Sequence, residues 1–216
     1  MITHLDRVDR PPETAEGDGS PDHPMRKVTR EVAFDPSGWS SDRRADVEAL
    51  FSGLAPEWPS RIGPGRHDAL DDALARGFDG FDRSVATCVE VGSGTGDSTP
   101  ILARWLGSGR LASFDMALPM LLLAETGAAP RVQADASSLP LRDGSADLVV
   151  LVNMLLFPTE VDRVLRGDGR VLWVNTAGER TPIHLPAEDV AAALPGAWSG
   201  VGSAAGHGTW CVLARS

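Results

Sequence analysis

The sequence predicts an α/β fold: a three-layer sandwich whose seven-stranded, mostly parallel sheet ends in an antiparallel C-terminal hairpin. Three observations lead there. Between residues 86 and 194, β-branched apolar runs alternate with amphipathic stretches, and such βα alternation implies a parallel sheet covered by helices on both faces. Two strand-like runs at 197–203 and 209–215 are joined by AAGHG, which makes a hairpin and places an antiparallel strand at one side. At 216 residues the chain is long enough for one sizeable core and short for two full domains.

Residues 1–24 are acidic, rich in Pro and Gly and poor in aliphatic clusters, the composition of a disordered tail that does not offset its ordering entropy. Met25 is an alternative start. Residues 25–84 read as an N-terminal helical lid or flank. There SDRRADVEALFSG (41–53) sets Val47, Leu50, Phe51 and the following Leu54 on one face, and HDALDDALARG (67–77) does the same with Leu70, Ala73 and Leu74. The remaining 85–216 form the core, with strands expected at 86–91, 110–114, 131–134, 147–152 and 170–175 before the hairpin, and helices at 98–106, 119–125, 159–165 and 187–194.

A formal net charge of −10 argues against nucleic acid and anionic membranes as partners, since both need a positive patch. No apolar run approaches the ~20 residues of a membrane span, and the N-terminus lacks the apolar core of a secretory signal. The expectation is a cytoplasmic monomer or homodimer, and the charge does not exclude a cationic or neutral small molecule as partner. Cys88 and Cys211 sit far apart in the apolar runs TCVEV and WCVLA and read as reduced core residues, with no metal site. A single lysine, Lys27, among many arginines reads as the coding bias of a GC-rich bacterial genome.

The chemistry is carried by VEVGSGTGDS, residues 89–98: a buried strand, an abrupt glycine loop, then Asp97, Ser98 and Pro100 opening a helix. Such a loop brings backbone N–H groups close to a ligand. A dinucleotide fingerprint needs G-x-G-x-x-G, but here Gly92 and Gly94 are followed by Gly96, and the third glycine's place is taken by Asp97. Glu90 and Asp97, flanking the loop, are poor neighbours for a pyrophosphate and reasonable ones for a cation. A P-loop is excluded for want of Gly-Lys-Ser/Thr.

From about residue 51 to 215 the sequence resembles the class I S-adenosylmethionine-dependent methyltransferases, a Rossmann-like family, and within it the small-molecule kind grouped as methyltransferase type 11. VEVGSGTG is similar to the family's first motif, which implies that Gly92, Ser93, Gly94 and Gly96 wrap the methionine part of the cofactor while Glu90 faces its amino group. Asp115 in SFDMALPML corresponds to the acid that accepts from the ribose hydroxyls, with Met116 beside the adenine. In QADASSLPLRDGSADLVV, Asp135 would accept from the adenine amino group, Ala136 would stack near the ring, and Leu139 would add apolar contact. Asn153 corresponds to a position bordering the methionine moiety, and LFSGLAPEW, with Trp58, resembles the helix that closes over the cofactor. The chemistry agrees: one carboxylate accepts from two adjacent hydroxyls, and an amino donor suits an acceptor-only group.

In-line methyl transfer needs no side-chain nucleophile, so any assistance would come from a general base. Of His67, His184 and His207, the one expected to face substrate is His184, which follows the fifth core strand at the carboxyl edge where such sheets bind ligands. Trp39, Trp58 and Met154 are the expected acceptor-side residues, and the apolar run Met154–Phe157 points to a hydrophobic acceptor. The rival reading is a catalytically silent S-adenosylmethionine-binding sensor or partner subunit.

Overall fold

The computed structural model describes residues 1–8, 20, 22–79, 85–125 and 127–216. Its frame is a single eight-stranded sheet made of β1 (Ile2–His4), β2 (Thr87–Val91), β3 (Arg110–Asp115), β4 (Arg131–Gln133), β5 (Ala146–Val152), β6 (Leu165–Asn175), β7 (Trp198–Ala205) and β8 (Gly208–Arg215). The strand order is β1-β7-β8-β6-β5-β2-β3-β4. β8 is antiparallel to both of its neighbours, and the other pairings are parallel. The helices are α1 (Pro24–Phe34), α2 (Ser41–Leu54), α3 (Asp68–Arg76), α4 (Thr99–Leu106), α5 (Leu118–Leu123), α6 (Pro158–Val164) and α7 (Ala187–Ala193).

The period of two along each strand builds the three layers. In β5, Val149 and Leu151 point to one face, where they join Val32 of α1, Val161 of α6 and Val190 of α7. Leu148 and Val150 point to the other, against Leu70 and Leu74 of α3 and Leu102 of α4. A strand buried on both faces has no polar side to spare, which is why ADLVVLV reads as continuous rather than alternating. Cys88 and Cys211 are both buried and free, one on each face.

Three expectations change and one is narrowed. The eighth strand, β1, comes from the segment expected to be a disordered tail: Ile2–His4 pairs with Gly200–Gly202 of β7, and the chain stays attached through Leu5 N–H to Gly202 O (2.8 Å) and Val8 N–H to Ala204 O (3.0 Å). Averaging over the whole acidic stretch hid three apolar residues, Ile2, Leu5 and Val8, that ride on the open edge of β7. The rest of that expectation, at 9–19 and 21, lies outside the described residues. Within the expected lid or flank, α3 belongs to the flank, in the helical layer behind β6 to β8, its Leu70 fully buried. On α2 only Val47 is buried, and Leu50 is 44% exposed. Finally β6 starts at Leu165 rather than 170, its register against β5 jumping from Ala146↔Leu165 to Leu148↔Arg170 across a bulge.

Chain order positions the site. From β2 the chain builds outward through β3 and β4, then returns to place β5 on the opposite side of β2. The carboxyl ends of β2 and β5 therefore diverge at a topological switch point, where open α/β sheets bind ligands.

Candidate active site

A cleft with ≈ 870 Å³ of empty space, its open mouth included, lies over the carboxyl ends of β2, β3 and β5. Its floor is the glycine loop. Gly92, Gly94 and Gly96 all adopt positive φ (73°, 54° and 77°), conformations that cost side-chain-bearing residues energy. The loop is held from below by Gly92 N–H and Ser93 N–H, both donating to Phe114 O. A Cβ on Gly92 would stand 2.3 Å from the Met154 sulfur, whereas one on Gly94 would meet nothing within 4 Å. The crest of the loop thus leaves open space for a ligand, and the shoulder is packed.

Asp115 ends β3 beside that crest. Its Oδ2 accepts from Gly94 N–H and its Oδ1 from Ala117 N–H, both at 2.8 Å. Burial raises its pKa, and these backbone donors oppose the rise. Each oxygen retains a further lone pair, and Asp115 lines the cleft, so the residue fits two ribose hydroxyls. Asp135, also in the lining, is met by the Trp39 indole N–H at 3.3 Å from both oxygens, by Ser137 N–H at 2.8 Å and by Arg44 at 3.6 Å. Trp39 also stands edge-on to Phe157 at 5.0 Å between centroids. The acid expected to hold adenine is therefore already in contact with the α1–α2 connection.

At the other end of the cleft, Asp97 accepts from Arg66 Nε at 2.7 Å and lies 3.3 Å from His67 Nε2. Burial by itself would raise the Asp97 pKa, but the His67 hydrogen bond and the neighbouring Arg66 hold it at about 2. Arg66 continues to Thr176 Oγ1 (3.5 Å) and lies over the Trp58 ring at 5.7 Å. Asn153 has positive φ (49°), which its short amide tolerates, and it clasps Thr176 through Nδ2 to Oγ1 (2.7 Å) and Oδ1 from N–H (2.8 Å). That clasp ties the ends of β5 and β6 at the cleft wall.

Of the residues singled out in the sequence, Gly92, Ser93, Gly94, Asp115, Met116, Asp135, Ala136, Asn153, Trp39, Trp58 and Met154 line this cleft together. Three do not. Glu90 lies under the loop, 2% exposed, with Oε2 accepting from Thr99 Oγ1 (2.6 Å) and Ser113 Oγ (2.7 Å), so it supports the loop from within the sheet. Gly96 faces a separate crevice with Thr99 and Ala124. His184 faces a depression between α1 and the turn before α7, so the expected base is off the cleft. Leu139 also stays in the core, its N–H given to Glu160. Sequence reasoning missed Phe51, Arg66 and Ile183 as lining, and it read Asp97 as a flank of the loop without its partners Arg66 and His67. Phe51 was legible on the apolar face of α2. Arg66 and Ile183 carry no local signal, being brought in from irregular segments.

A switch-point cleft floored by a glycine loop, with a carboxylate at the end of the second core strand, has room and acceptors for a nucleoside cofactor. Comparison with known proteins agrees: residues 89–174 match the family model described as a methyltransferase domain. Over 164 residues the chain is 28% identical to the demethylmenaquinone methyltransferase of Roseiflexus castenholzii, covering 66% of this chain and 65% of that protein. It therefore spans just under two thirds of the length of that curated relative. Among solved structures, a Methanococcus maripaludis protein provisionally assigned as an S-adenosyl-L-methionine-dependent methyltransferase aligns over 78% of this chain and 93% of its own, at 16% identity and a TM-score of 0.56, a likeness of fold. An S-adenosylmethionine-dependent methyltransferase of Aquifex aeolicus aligns over 56% of this chain and 72% of its own, at 19% identity and a TM-score of 0.47. The likeness to a methyltransferase domain is thus carried by residues 89–174, which span the glycine loop, Asp115, Asp135 and Asn153.

Proposed function

We propose that the protein transfers a methyl group from S-adenosylmethionine to an apolar small-molecule acceptor by in-line displacement. The observation that carries this reading is one cleft holding both the glycine crest with Asp115 and an apolar wall of Trp39, Phe51, Trp58, Met154, Phe157 and Ile183. When bound, S-adenosylmethionine supplies an electrophilic methyl on a positively charged sulfur.

The chain's own residues have distinct tasks. Asp115 accepts from the ribose with the lone pairs that Gly94 and Ala117 leave free. Asp135 accepts from the adenine amino group at the Trp39 end. Arg66 is the cation of the lining, and the Asp97 carboxylate beside it offsets its charge, which keeps the opposite end tolerant of a sulfonium. The aromatic wall excludes water and holds the acceptor near attack distance, where positioning supplies most of the rate. No histidine is among the lining residues, which favours acceptors that bring their own nucleophilic electron pair, such as phenol-type oxygens or activated ring carbons. The Roseiflexus relative is named for demethylmenaquinone, which makes that quinone, in reduced form, the first acceptor to test. A net charge of −10 supports a reading without nucleic-acid partners.

The test is methyl-labelled S-adenosylmethionine incubated with the protein and a panel of reduced quinones, phenols and polar amines. Label in the apolar members supports the proposal. Calorimetric cofactor binding with no label in any acceptor would instead indicate the silent binder, and no cofactor binding would remove both readings.

A further inference from the structure

His184, displaced from the cleft, lines a second depression with His23, Arg26, Lys27 and Arg30 of the α1 segment and with Glu179 and Asp189. Several of these charges are matched. Arg30 pairs with Asp189 at 2.6 Å, and Lys27 lies 3.7 Å from Glu31. The carboxylates of Asp22 and Glu179 belong to exposed residues.

Three donors are left over. The Arg26 side chain makes no hydrogen bond or ion pair among the described residues, and its Nε is buried with no acceptor. The half-buried His184 ring likewise has no hydrogen-bond partner among them; burial and then the positive charge of Arg26 lower its proton affinity, against the pull of Glu179 and Asp189. His23 Nδ1 accepts from Met25 N–H at 3.1 Å, which in the neutral ring leaves the proton on Nε2 as a third donor. Buried polar atoms in folded proteins find partners, and a guanidinium beside an imidazole selects an anionic one.

We propose that this depression is a second ligand site, separate from the methyl-donor cleft, which binds an oxyanion of phosphate or carboxylate type between Arg26 and His184. The site adjoins the cleft through the chain itself: Ile183, next to His184, lines the cleft, and α1 leads through the turn Pro36–Gly38 to Trp39 on Asp135. An anion there would steady both segments. This inference stands on α1 and the turn before α7 and does not depend on the identity of the methyl acceptor.

The full-length chain is titrated with sodium phosphate and, separately, sodium acetate against chloride at constant ionic strength, following the Arg26 Nε–H resonance and the melting temperature. A saturable shift is expected with at least one anion, and the tighter of the two identifies the ligand class. Arg26→Gln should weaken that binding about tenfold or more, and His184→Asn by a smaller factor, while Lys27→Gln stays within about twofold. S-adenosylmethionine binding by Arg26→Gln, measured alongside, reports whether that variant is folded, and His184→Asn gives an independent arm if it is not. If neither anion gives a saturable shift, or if folded Arg26→Gln binds like the parent, the site does not exist.

Discussion

Asp115→Ala strips two backbone amides of their acceptor before any ligand is considered. Gly94 N–H and Ala117 N–H each donate to one oxygen at 2.8 Å, and a partly buried amide left unpaired costs about 1–3 kcal/mol. Because the cleft admits water beside Asp115, the lower half of that range applies to each amide, for a stability loss of about 2–4 kcal/mol in total. The second effect is on the cofactor: charged hydrogen bonds to the ribose are worth about 1.5–3 kcal/mol, which is roughly a 10- to 150-fold rise in Kd for S-adenosylmethionine. Urea denaturation reads the first quantity and calorimetric titration the second. Asp115→Asn keeps the shape and one acceptor oxygen but turns an NH2 toward one of the two amides, so it should fall between Ala and the parent in both assays. A folded Asp115→Ala protein with unchanged cofactor affinity would show that the ribose is not held here, and the reasoning about β3 would fail.

Three further outcomes follow from the loop and its supports. Gly92→Ala should cost about 1–2 kcal/mol from positive φ alone, with more from the 2.3 Å approach to Met154, and Met154→Ala in the same chain should recover part of it by thermal melting. Burial raises the Glu90 pKa from 4.5 to about 7, against the pull of Thr99 and Ser113. A carboxyl whose folded pKa lies above its unfolded value binds more protons in the folded state, so stability should fall as pH rises from 4.5 to about 7 and level off above, by up to about 3 kcal/mol. Glu90→Gln should flatten that profile and exceed the parent in stability at about pH 8, and parallel profiles for the two proteins would contradict the assignment. Asp97, held at about 2, stabilises the fold above 3.8, and that contribution is lost as pH falls toward about 2. Asp97→Asn should cost about 1–3 kcal/mol at neutral pH by denaturant titration, since Arg66 loses its carboxylate.

The fold was legible where hydrophobic period dominates. The runs at 147–152 and 170–175 are apolar enough to announce strands buried on both faces, and the AAGHG turn announced its hairpin, realised as the two residues Gly206 and His207 between β7 and β8. It was illegible where a short element depends on a partner far away in sequence. Ile2–His4 is a strand only because β7 offers an open edge nearly two hundred residues later, and no local pattern carries that information. The same distinction divides the site. Residues fixed to strand ends, such as Gly92, Gly94, Asp115 and Asn153, come together at one cleft. Glu90 follows the opposite logic, because a residue inside a strand must point to one layer or the other, and its phase turns it into the layer of Thr99 and Ser113 rather than up into the cleft.

Asp97 shows how a departure from a familiar pattern can be the informative position. Read as a string, it is the residue that stands where a third glycine would permit close helix packing in a dinucleotide fold. In the structure that place needs a side chain, because Arg66 and His67, from the segment entering α3, converge on a single carboxylate oxygen, at 2.7 and 3.3 Å. Arg66 then reaches Thr176, which Asn153 holds from the other side, so one chain of contacts runs from the loop after β2 to the ends of β5 and β6. A glycine there would leave a largely buried guanidinium without its counter-charge and detach the N-terminal segment from the loop it covers. The carboxylate that argues against a dinucleotide is thus the same one that couples the cover of the cleft to its floor.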